Sequence, residues 1–220
     1  FAGAVGAALG ANPGGSTLGG TTPVTAAGGI AAFTNLSLDN TGVGYTLVAS
    51  AAGLGSVTSA TFSIAKADQT ITFPAITDKL TTDTVGLSAS AGSGLPVSFS
   101  VFSGPASISG GTNLSFTGAG AVSIIASQAG NSNWNAAPNV TNSFNVTKVD
   151  QAALTFTPAS PQAYNTTNAL SASGGSGTGA LSYAVASGPG QIVSDTNLTI
   201  TAGAGTVNVV ATKAADALYN

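Results

Sequence analysis

The sequence predicts an all-β chain of small sandwiches in tandem, and three observations carry that prediction. Apolar and polar residues alternate with period two in several short stretches, as in Val97-Ser98-Phe99-Ser100-Val101, which puts one face of each on a core. Glycine and proline punctuate the chain at roughly 8–12-residue intervals, the spacing of short strands in a sandwich. Finally, the chain repeats itself, and no segment combines helical periodicity with caps at both ends.

Taken in order, the first segment opens on the apolar run Phe1 to Gly10 and turns at Pro13-Gly14-Gly15. It continues through Val48-Ala49-Ser50-Ala51-Ala52-Gly53 and closes with Phe62-Ser63-Ile64-Ala65-Lys66. A second segment starts at Lys66-Ala67-Asp68-Gln69, turns at Gly92-Ser93-Gly94 and Gly104-Pro105, and closes with Ser143-Phe144-Asn145-Val146. The third follows the same order. Lys148-Val149-Asp150-Gln151 repeats the opening at an offset of 82, and Leu170-Ser171-Ala172-Ser173 repeats Leu87-Ser88-Ala89-Ser90 at 83. Ser187-Gly188-Pro189 follows Ser103-Gly104-Pro105 at 84, and Tyr219-Asn220 follows Trp134-Asn135 at 85. Strands are expected at Leu198–Thr201 and Val207–Val210, which alternate in the same way.

These matches divide the chain into repeats at 1–66, 67–148 and 149–220. The expected architecture is immunoglobulin-like β-sandwich domains placed end to end. The middle repeat is expected to be complete. Measured against it, the first is expected to lack a first strand and the third its last, since Asn220 matches Asn135. Two explanations stay open: a window on a longer array, or open edges completed by strands from neighbouring molecules.

Composition narrows the function classes. Only 5% of residues are charged, against about 25% in an ordinary soluble domain. There is no Glu, Arg, His, Cys or Met, so surface polarity rests on Ser, Thr, Asn and Gly. Such a surface has little electrostatic protection against self-association. A net charge of −3 without arginine argues against nucleic acid as a partner. No apolar run is long enough to span a membrane, and the opening run lacks the basic flank of a signal peptide.

The runs Asn12-Pro13-Gly14-Gly15, Gly29-Ile30-Ala31-Ala32-Phe33 through Asp39, and Gly44-Tyr45-Thr46-Leu47-Val48 resemble a bacterial immunoglobulin-like (Big-type) repeat. So do Asp68-Gln69-Thr70-Ile71-Thr72-Phe73 and Ala129-Gly130-Asn131-Ser132-Asn133-Trp134-Asn135, a pattern similar to tandem repeats of large surface and adhesin-like proteins. The resemblance covers nearly the whole chain. It implies a location at the bacterial cell surface and modules that act as spacers, stalks or adhesive units, and it brings no catalytic or ligand residues.

Chemistry is constrained by the residue inventory. Without His or Cys the common nucleophile–base pairs are excluded, and the Gly-Ser-Gly stretches read as hairpin loops. Asp78 and Asp83 flank Lys79 in an expected loop, and no stretch has the spacing of an Asp-rich calcium loop. No catalytic residue, metal site or cofactor is therefore assigned. Trp134, Tyr219 and Tyr45 are the aromatics singled out as ligand or interface candidates, with Tyr164 and Phe102 behind them; recurrence of Trp134 as Tyr219 favours packing for that pair. Lys66, Asp68, Lys148 and Asp150 mark the junctions and read as solvated linkers or as ion pairs worth at most about 1 kcal/mol each.

The leading role is a structural extracellular segment of a stalk, sheath or filament. Its partners would be neighbouring repeats or copies of itself, through open strand edges. The alternative is an adhesin segment that binds a receptor or glycan.

Overall fold

Alternation becomes strand pairing. In the computed structural model, which describes residues 1–220, every regular element is a β-strand. The paired sheets make tandem immunoglobulin-like β-sandwiches. By its contacts the chain divides into two compact units: Phe1–Thr72 with Ala89–Ser98 and Ala126–Val140, and Phe73–Ser88 with Phe99–Ile125 and Thr141–Asn220.

In the first unit, Ala4–Leu9 pairs antiparallel with Leu47–Ala51, with Val5 opposite Ala51 and Leu9 opposite Leu47. Val24–Thr25 and Val57–Thr58 close the two sides of this four-stranded sheet. Gly42–Tyr45 pairs with Phe62–Ile64, and a bulge between Val43 and Tyr45 breaks the register. Tyr45 ends up wholly buried, its ring 5.9 Å from that of Phe62. The Tyr45 hydroxyl meets Ser16 Oγ at 2.7 Å and donates to the Asn40 carbonyl at 2.9 Å, so the polar end of a core aromatic is satisfied.

The second unit contains one three-stranded motif twice. Thr84–Gly86, Asn113–Phe116 and Ala106–Ser109 pair antiparallel, with Val85 opposite Leu114 and Ile108 opposite Leu114. Thr167–Ala169, Asn197–Ile200 and Gly190–Val193 repeat the motif in the same register, with Asn168 and Ile192 opposite Leu198. Beside the first copy, Val140–Thr147 runs parallel to Lys79–Leu80 and lies next to Gly120–Ser127. Leu181–Ser187 pairs antiparallel with Asn208–Lys213.

The Ser-Gly-Pro repeat has a backbone cause. Gly104 and Gly188 have φ of 97° and 95°, a region L side chains rarely enter. A Cβ there would lie 2.2 Å from the Ala121 carbonyl oxygen, or 2.0 Å from that of Thr206. Glycine lets the chain turn tightly against the next strand, and the following proline carbonyl accepts from Thr117 or Thr201 at 2.9 Å.

The cores are aliphatic with a few phenyl rings, as the low aromatic content requires. Leu114, Val122, Ile124 and Ala126 are fully buried, and Phe144 and Val146 nearly so. Leu170, Leu198 and Ile200 form a second cluster, with Phe156, Tyr183 and Val209 against it. Even ring packing recurs: Phe73–Phe99 centroids are 5.3 Å apart and Phe156–Tyr183 5.4 Å.

Candidate functional site

Two short loops recur at an offset of 85, and each is hydrogen-bonded to residues far earlier in the chain. The first is 131–134. Asn131 Oδ1 accepts the backbone N–H groups of Asn133 at 2.8 Å and Trp134 at 3.0 Å, an Asx turn that folds the loop on itself. Thus held, Asn133 uses both ends of its amide on Asp39, Asn40 and Thr41. Its Nδ2 donates to the Asp39 carbonyl at 3.0 Å and to Asn40 Oδ1 at 3.1 Å, and its Oδ1 accepts from Thr41 N–H at 3.1 Å. Thr41 Oγ1 adds a bond to the Ser132 carbonyl at 2.7 Å.

The second loop is 216–219, where Asp216 stands in for Asn131. Its Oδ1 accepts from Leu218 N–H at 2.8 Å and Tyr219 N–H at 2.9 Å, while Oδ2 takes the backbone and hydroxyl of Thr178. The backbone N–H of Thr178, then those of Leu218 and Tyr219, hold this carboxyl well below the usual carboxylate range. The Leu218 carbonyl accepts from the hydroxyl of Thr81, which is 3% exposed. Lys148 Nζ donates to the Asp216 carbonyl.

The junction aspartates clip these loops in place. Asp68 Oδ1 accepts from Asn135 Nδ2 at 2.8 Å, and Asp150 Oδ1 from Asn220 Nδ2 at 2.7 Å. Ala67 and Trp134 form a parallel bridge, as do Val149 and Tyr219, with backbone bonds of 2.9–3.1 Å. The partner of each aspartate is thus an asparagine from the end of the loop. Lys66 is exposed and Lys148 half-buried. Sequence reasoning did not single out Asn133, Asn135, Thr41 or Thr81. The available signal was the recurring aromatic-Asn pair at an offset of 85, for which packing was favoured over a ligand or interface role.

Behind the first clip lies a buried amide network. Gln69 Nε2 donates to Gln128 Oε1 at 2.6 Å and to the Asn135 carbonyl at 2.7 Å, and Ser93 Oγ donates to Gln69 Oε1. Gln151, which matches Gln69 at an offset of 82, donates to the Ala214 carbonyl at 2.9 Å, but its Oε1 is buried without a partner. Lys213 occupies the place of Gln128 there, which removes the second amide.

The aromatic candidates separate. Tyr45 offers no ring to solvent, because the bulge and its three hydroxyl contacts hold it in the core. Trp134 is half-buried beside a cleft of about 230 Å³ that it shares with Leu38, Asp39 and Ile64. Tyr219 is half-buried over Gly177. Of the candidates, Phe102 and Tyr164 are the exposed rings, at 69% and 62%. An apolar cleft of about 440 Å³ also opens on the first unit, lined by Ala7, Phe33, Leu36, Leu47 and Val57. No three His, Cys, Asp or Glu side chains come together. Hydrogen bonding is the chemistry these loops offer, with neutral amides, hydroxyls and backbone groups at 131–134, and with the Asp216 carboxylate and the Lys148 ammonium added at 216–219.

No described protein family matches the sequence, and no curated protein does. Among solved structures, mouse cadherin-23 EC22-24 is 16% identical, with 95% of this chain and 80% of that one covered and a TM-score of 0.31. Mouse protocadherin-24 EC1-3 is 14% identical, with 96% and 83% covered and a TM-score of 0.31. The protocadherin gammaB4 extracellular domain is 14% identical, with 95% and 42% covered and again a TM-score of 0.31. The fold assignment rests on the chain's own strand pairing.

Proposed function

We propose that this chain is a structural, non-enzymatic segment of a large bacterial surface protein of Big-type repeats. In this reading the repeats fall at 1–66, 67–148 and 149–220, and their work is to hold a fixed spacing outside the cell. The observation that supports it is that a loop recurring at one place in the repeat bonds far back along the chain both times, through the Asn133 amide on Asp39–Thr41 and through the Leu218 carbonyl on Thr81. The Asn133 contacts are neutral hydrogen bonds, which are less sensitive to salt than exposed ion pairs. That suits a segment working in variable surroundings with almost no charge of its own.

The joint is tested by backbone ¹⁵N relaxation. Repeats one and two should share one rotational correlation time in the parent chain, and Asn133→Ala should separate them without unfolding either. Independent tumbling in the parent chain would remove the spacer reading. The apolar cleft on the first unit favours adhesion as a second reading, with a receptor or glycan as partner. Saturable binding on a glycan array, lost in Leu36→Ser, would move the assignment there.

A further inference from the structure

Lys79–Leu80 is a two-residue strand, yet the segment that carries it is tied to Val140–Thr147 over a longer stretch than its own ladder. The two run parallel, with Lys79 opposite Val146 and Leu80 opposite Thr147. Past the ladder, Thr81 N–H donates to the Thr147 carbonyl at 2.9 Å. Ahead of it, side chains supply the bonds that a longer ladder would. Asp78 Oδ1 accepts the Asn145 N–H at 2.8 Å, and Asn142 Nδ2 donates to the Pro74 carbonyl at 2.7 Å. Residues 74–81 are thereby bonded to residues 142–147 at both ends and in the middle.

Val140–Thr147 is itself firmly held. It lies between Lys79–Leu80 and Gly120–Ser127 in a four-stranded sheet, and its Phe144 and Val146 side chains are buried. The ring of Phe144 meets that of Phe116 edge-on at 5.9 Å, and the Ser143 and Ser123 hydroxyls meet at 2.8 Å. Lys79–Leu80 is the outermost strand of the same sheet, so Val140–Thr147 is its one strand neighbour.

Strand direction decides what such a pair can resist. In a parallel pair, tension that enters ahead of one strand and leaves after the other slides the two along each other. The bonds between them lie across that motion and are strained together. Tension applied at the same end of both strands opens the bonds one after another. Here the chain enters the pair at Pro74, ahead of Lys79, and leaves it after Thr147, so a pull along the chain is of the sliding kind. We propose that the pair is a tension-bearing clasp, in which Asp78 and Asn142 lengthen a ladder too short to resist by itself. The inference deepens the spacer reading and rests on it, because a spacer is pulled along its own chain.

The test is single-molecule force spectroscopy of the full 220-residue chain. The chain has no cysteine, so paired substitutions give unique attachment points. Thr72→Cys with Thr147→Cys slides the strands, and Thr82→Cys with Thr147→Cys peels them; all three positions are exposed. Sliding is expected to need at least about twice the force of peeling, since the bonds yield together rather than singly. Asp78→Ala combined with Asn142→Ala should lower the sliding force and leave the peeling force unchanged, because peeling starts at the Thr81 end. Equal forces in the two directions would overturn the clasp, and that comparison needs no destabilising variant. So would a double substitution that leaves the sliding force unchanged, or one that lowers both forces alike as a general loss of stability does. The spacer reading is tested by relaxation without load, so the two fail separately.

Discussion

Asp216 and Asn131 show how a single residue sets a joint. Both accept two backbone N–H groups from the loop that follows, but Asp216 also takes Thr178 and does so as an anion. Because its carboxyl is held below its ordinary value of 3.8, its contribution is present above that value and is lost as pH falls through the lower folded-state value. Thermal midpoints should therefore fall as pH is lowered below about 4. Asp216→Asn should flatten that dependence while keeping the Asx turn, and Asp216→Ala should lower the midpoint at neutral pH as well. A parent chain whose acid sensitivity matches that of Asp216→Asn would contradict this role. The sequence offered Asp216 only as one of seven scattered aspartates, because an Asx turn depends on backbone direction that no residue pattern specifies.

At the scale of elements, the closing strand of the middle repeat is the sharpest test of packing. Phe144 is buried against Phe116, and truncating it leaves a cavity that neighbours only partly fill. Phe144→Ala should cost about 3–5 kcal/mol by chemical denaturation, and a loss below about 1 kcal/mol would mean that the strand is peripheral. This strand was legible in advance, since Ser143-Phe144-Asn145-Val146 alternates in the pattern of one face inward. The alternating stretches at Val97–Val101 and Leu198–Thr201 likewise became strands, and the Ser-Gly-Pro corners fell where glycine is sterically required. The joints were not legible. They depend on short polar side chains meeting across more than 90 residues, as Asn133 meets Thr41, and such contacts leave no periodicity. Tyr45 misled for a related reason: a bulge changes which face a residue takes, and a bulge is invisible in a polar–apolar string.

For the whole molecule, the proposed reading is that each sandwich closes around its own apolar centre, in keeping with the sparse charge, aliphatic cores and recurring loops. The most direct test is single-molecule stretching of the chain between inert handles. Separate unfolding events are expected, each releasing roughly 200–250 Å, as follows from about 3.6 Å per residue less the folded span. One event that releases the length of the entire chain would show a shared core and contradict the account.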